Sequence, residues 1–124
     1  MTTESSEEKT FNLEDYQITT ALKEKTVTIP ETGDSFQVKI RPLSWSRRNK
    51  LMTECVKWVN DEETSFDADA FMRASLREVI VEAPWGRTTE AFLLSIDGRL
   101  GSALEKLIPE AGSGVDPEEI KKGA

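Results

Sequence analysis

Between Lys25 and Arg41 apolar side chains recur at every second position, the period of a strand with one face buried. Val27 and Ile29 share a face, with Thr26 and Thr28 opposite, and Phe36, Val38 and Ile40 then alternate with Gln37 and Lys39. Glu31-Thr32-Gly33-Asp34 separates the two runs and places a glycine where a tight turn wants positive φ, so the pair reads as a β-hairpin. A lone hairpin is marginal in water, and its apolar face must be covered by something else.

The cover is predicted to be helical. After Pro42, Ser44 or Ser46 is placed to cap a helix running to about Asn60, with Leu51, Cys55 and Val59 spaced by four and Met52 and Val56 beside them. Asp61 to Ser65 reads as a loop. Asp67 opens a second helix whose stripe is Met72, Leu76, Val79, Ile80 and Ala83, and Pro84 stops it. From Val79 to Pro109 two apolar runs hinge on Pro84-Trp85-Gly86, with no catalytic side chain among their apolar positions. Thr88 or Thr89 caps the first run through Phe92, Leu93 and Ile96, and Gly98 breaks it. Leu100, Ala103, Leu104, Leu107 and Ile108 form the last stripe. The expected fold is therefore α+β and mostly helical, an N-terminal β-hairpin packed on about four helices, with flexible acidic tails. Residues 12–109 make the single domain, 1–11 a disordered tail and 110–124 a flexible one, where Asp116-Pro117-Glu118-Glu119 resembles a helix start with too few residues after it. Asn12 to Leu22 offers at most a short helix or a strap over the core.

With 124 residues the chain is long enough for one core and too short for two. A formal charge of -7 argues against general nucleic-acid binding, which needs a clustered positive surface. The single cysteine, Cys55, cannot form an intrachain disulfide, and the first residues lack the positive and apolar regions of a secretory signal, so a reducing cytosol is expected. No apolar run approaches the roughly 20 residues that span a bilayer.

The sequence holds no histidine, which removes the usual serine and cysteine triads and imidazole metal sites. Cys55 lies on an apolar stripe, where a thiol is an inert packing group. Asp67, Asp69 and Glu78 match positions 1, 3 and 12 of a calcium loop, yet Phe71 and Met72 occupy the positions of a ligand and of the required glycine, so helix capping explains the aspartates better. Gly98 and Gly101 follow a helix rather than a strand and do not make a dinucleotide site. No catalytic, cofactor or metal residue is expected. Arg41, Arg47, Arg48 and Lys50 beside Trp45 form the one basic patch, readable as a small nucleic-acid-binding regulator's site or, better, as a solvated helix start. A tryptophan left exposed is a strong interface candidate. The candidate partner-binding residues are Trp45, Arg47, Arg48, Trp58, Trp85, Phe92 and Leu93.

In order, a strand containing Val38-Lys-Ile-Arg-Pro-Leu-Ser, a charged helix, a loop, a long helix ending near Pro84-Trp85, and two short helices ending Leu104-Glu-Lys-Leu-Ile resemble the tail assembly chaperones of long-tailed phages. The resemblance spans about residues 36–108 and rests on order and spacing. It implies a non-enzymatic protein of the host cytoplasm that coats the tape measure protein, keeps it soluble, helps tail tube subunits polymerise around it, and is absent from the mature virion. Tail tube protein and self-association are further partner expectations; a virion head-tail or tail component is the competing one. The family often makes a longer product by ribosomal slippage, which Lys121-Lys122-Gly123 would suit. A very long tape measure gene just downstream, and a slippery heptamer before an overlapping frame, are the expected genomic context; a gene neighbourhood without a tape measure would count against the resemblance.

Overall fold

The structure is a computed structural model and describes residues 10–111. Three antiparallel strands form its sheet in the order β1 (Lys23–Thr28), β2 (Ser35–Ile40), β5 (Ile80–Glu82). The expected hairpin pairs Val27 with Phe36 and Lys25 with Val38. Its turn closes through Gly33, at φ +81, whose amide donates to the Ile29 carbonyl at 2.8 Å. A register shift between Lys39 and Ile40 accompanies the pairing of β2 with β5.

Helix α1 (Trp45–Glu54) starts where the Ser44 hydroxyl accepts from the Arg47 amide at 3.0 Å, and α2 (Ala68–Val79) where Asp67 accepts from Ala70 at 3.0 Å. Thr89 caps α3 (Glu90–Ser95) and Asp97 caps α4 (Gly98–Glu105), so Gly98 begins a helix rather than merely ending one. A last turn, α5 (Leu107–Glu110), carries Pro109, and the packed chain continues to the buried Ala111, whose carbonyl accepts from the Leu43 amide at 3.0 Å.

Helix α2 lies at the centre, in contact with α1, α3, α4, α5 and β5. It buries Phe71, Met72, Leu76 and Val79 against Val38, Ile40, Leu51, Leu104 and Ile108 in one continuous core. Lys25 shares the inner face of β1 at the open end of the sheet, and its ammonium reaches out to Glu110 at 2.8 Å.

The description "mostly helical" is corrected: 43% of the chain described is helix and 21% is strand. Two places account for the difference. Helix α1 stops at Glu54, with Cys55 as its C-cap, and the next residues form β3 (Val56–Trp58), paired with β4 (Thr64–Phe66) as a separate two-stranded ribbon. Helix α2 stops at Val79, and Ile80 goes directly into β5. In both places β-branched and aromatic residues follow one another, which favours a pleated surface with cross-strand neighbours over a helix. The segment 12–22 contains one 3₁₀ turn, Leu13–Tyr16, and is otherwise irregular and exposed. The tail expectations for residues 1–9 and 112–124, and the helix start at Asp116, lie outside the described residues.

Phe71 is fully buried at the centre of this core. Phe71→Ala is expected to destabilise the protein by about 3–5 kcal/mol, measurable as a lowered denaturant midpoint, because neighbours on every side cannot all collapse into the space.

Candidate partner-binding surfaces

The seven candidate residues do not form one site. Trp45 is the first residue of α1 and is 73% exposed; Trp58 ends β3, beyond the other end of the same helix, and is 74% exposed. The helix between them rises roughly 14 Å at 1.5 Å per residue, so the two indoles belong to different surfaces.

Trp85, Phe92 and Leu93 turn inward. The Trp85 ring stacks on Phe92 at 4.6 Å between centroids and meets the edge of Phe36 at 5.4 Å, while its Nε1 donates to Thr88 Oγ1 at 2.9 Å. Leu93 is buried. The Pro84-Trp85-Gly86 corner, with Gly86 at φ +84, therefore staples α3 to the hairpin.

The basic patch divides likewise. Arg47 leans toward α2, where its Nη2 donates to Glu78 Oε1 at 2.9 Å. That hydrogen bond lowers the Glu78 carboxyl below its ordinary value and raises the guanidinium. Arg48 lies on the other flank, its Nη1 3.8 Å from Met52 Sδ and its Nε buried with no partner on the protein. Arg41 and Lys50 remain exposed and make no ion pair among the described residues. A cleft of about 350 Å³ opens beside Arg41, lined by Ile18, Leu22, Pro42, Leu43, Arg47 and Glu78 among others.

Around Trp58 the chemistry has the opposite sign. Val56 pairs with Phe66 across the ribbon and Trp58 with Thr64, so Val56 and Trp58 share one face. Phe66 anchors that face to the core through Phe71, at 5.6 Å between rings, whereas Val56, Trp58 and the following Val59 stay exposed. The tip is acidic, Asp61-Glu62-Glu63, and Asn60 holds it by accepting from the Glu62 and Glu63 amides at 2.8 and 3.0 Å. Neither edge of the ribbon has a strand neighbour among the described residues.

Comparison with known proteins finds no family model matching the chain, and no similar curated protein or solved structure. The surfaces must be read from their own chemistry.

The aspartates of the calcium-like fragment are occupied in other ways. Asp67 caps α2 and pairs with Lys57 at 2.7 Å, and Asp69 pairs with Arg73, which also reaches Glu90. Cys55 is buried, and burial pushes its thiol up, away from the thiolate that nucleophilic chemistry uses. Among the described residues no helix is long and apolar enough to cross a membrane. Sequence reading missed Val56 and Val59 as surface residues because a helix through Asn60 would have turned them inward; the alternating Val56-Lys57-Trp58 beside Thr64-Ser65-Phe66 was the available signal.

Among the described residues four carboxyls are held below their ordinary values: Asp67 by Lys57 and the Ala70 amide, Glu78 by Arg47, Asp97 by the Leu100 amide and Arg99, and Glu110 by Lys25. Because the folded values lie below the unfolded ones, the stability they contribute is fully present above the unfolded carboxylate range near pH 4 and is lost as pH falls through the folded values. With no histidine to titrate, the melting temperature is expected to stay level from about pH 6 to about pH 8 and to fall below about pH 4. A stability step near pH 6.5 in thermal melts would contradict this assignment.

Proposed function

We infer that the chain is a non-catalytic binding protein, a tail assembly chaperone that holds apolar segments of a tape measure protein in solution. The observation that carries this reading is the ribbon: Trp58, with Val56 and Val59, stands in solvent on a tip held by Asn60 and ringed by acidic side chains. An exposed tryptophan on an ordered scaffold is the usual anchor of a protein interface, and the surrounding acids keep the free chain soluble. A tape measure is a long helical chain with apolar faces, and spaced side-chain anchors suit such a partner. The order of elements that resembles the chaperone family supports the same partner.

The nucleic-acid reading loses support from the same geometry. Arg47 is committed to Glu78 and Arg48 is half-buried against Met52, so the four-residue basic patch offers solvent two free cations.

Co-expression with a tape measure protein encoded beside this chain's gene, the partner this reading requires, is expected to raise that protein's soluble yield and to give a complex that co-purifies. Trp58→Ser with Val59→Asp should leave the melting temperature within a few degrees of the parent yet weaken that complex roughly thirtyfold, about the effect of losing a 2 kcal/mol tryptophan anchor. The protein should also be missing from purified virions by mass spectrometry. No gain in solubility and no co-purification would overturn the chaperone reading.

A further inference from the structure

The ribbon that presents Trp58 is also strongly acidic. From Glu54 to Asp69 six acids, Glu54, Asp61, Glu62, Glu63, Asp67 and Asp69, stand against a single cation, Lys57. Lys57 is committed to Asp67 at 2.7 Å, Asp69 is paired with Arg73, and Glu54 follows Lys50 by one helical turn. Asp61, Glu62 and Glu63 are left exposed, with no ion pair among the described residues.

One of these carboxylates shares a space with the indole. Trp58, Val59, Asn60 and Asp61 line an open recess of about 440 Å³, so a side chain entering it meets an aromatic ring, an aliphatic surface and an anion together. Among the described residues no other ring lies against the indole. An arginine or lysine suits all three walls: its methylenes pack on Val59 and the ring, and its cation reaches both the ring face and the carboxylate. A purely apolar side chain would desolvate Asp61 without pairing it. A second copy of the ribbon brings the same acids, and nucleic acid or an anionic headgroup brings phosphate of the same sign.

We propose that the Trp58 recess selects a basic polypeptide segment, one that sets an arginine or lysine beside its apolar anchors, with the cation held between the Trp58 ring and the Asp61 carboxylate. The acids then choose the partner as well as keeping the free chain in solution. The inference rests on the ribbon being a contact surface and sharpens the chaperone reading: the segments held are those whose apolar face is flanked by positive charge.

The test is binding of two synthetic peptides of about 18 residues, long enough to hold a helix, that share one leucine face and carry either arginine or glutamate along its flanks. Affinity for the full chain is read by fluorescence anisotropy of the labelled peptide. The arginine peptide is expected to bind about tenfold or more tightly than the glutamate peptide, by a margin that narrows as salt rises. Asp61→Lys with Glu62→Lys, which leaves Asn60 in place to hold the tip, should abolish that margin. The same charge change away from the ribbon, Glu14→Lys with Glu31→Lys, should keep it, which separates the recess from the general attraction of a chain with net charge -7. Trp58→Leu should cost the arginine peptide about two- to fivefold more than the glutamate peptide, because leucine has no ring to face a cation. Circular dichroism establishes that every variant is folded. Equal affinity for the two peptides, a margin that survives reversal at the tip, or one lost equally in the Glu14 and Glu31 variant would each overturn the proposal. Self-association of the parent that the tip reversal dissolves would also overturn it, since the recess would then belong to a second copy. Because the peptides replace the tape measure protein, failed co-expression with the arginine margin intact counts against the chaperone reading alone.

Discussion

Everything in this fold leans on the absence of a loop between Val79 and Ile80. Helix α2 delivers Phe71, Leu76 and Val79 to the core, and its next residue is already paired with Ile40 in the sheet. The Val79 carbonyl accepts from the Arg41 amide at 2.9 Å at the same point. Helix layer and sheet are therefore joined by backbone as well as by packing, and the rotation of α2 about its axis is set by the register of β5. Helices α1, α3, α4 and α5 each touch α2, so their positions follow from that one junction. A buried helix that continues directly into a paired strand leaves few alternative packings with satisfied backbone groups.

Features written in local chemistry were legible in the sequence. The hairpin, its glycine turn, the cap at Asp67, and the caps at Ser44 and Thr89 as one of two neighbouring candidates each, depend on residues only a few positions apart. Helix ends inside apolar runs were not legible. Val56, Val59, Ile80 and Val81 continue a helical stripe as well as they begin a strand, and what chose the strand was a distant partner: Phe66 and Thr64 for β3, Ile40 for β5. Asp97 was overshadowed by the glycine after it, although an aspartate before Gly98 is an ordinary cap. The same limit governs the surfaces. Trp45, Trp58 and Trp85 look alike as letters, and only the tertiary fold packs Trp85 against Phe36 and Phe92 while leaving the other two in solvent.

The exposed apolar groups are segregated by charge. Trp45 stands among cations and Trp58 among anions, at opposite ends of α1. On a chain with a net charge of -7, Arg41 and Lys50 are exposed at that end, while Arg47 is paired with Glu78 and Arg48 lies against Met52. A molecule matched in charge to one pole would be mismatched at the other.

The ribbon of β3 and β4 differs in kind from the rest. Its strands are three residues long, among the described residues it belongs to no larger sheet, and it meets the core through Phe66 on Phe71. Its attachments are Phe66 on Phe71, the Asp67 amide on the Cys55 carbonyl and Lys57 on Asp67, while Val56, Trp58 and Val59 stand in solvent, so the tip has fewer packed neighbours to hold it than α2 has. A surface with that property is compliant: it can change shape without disturbing the domain that presents it.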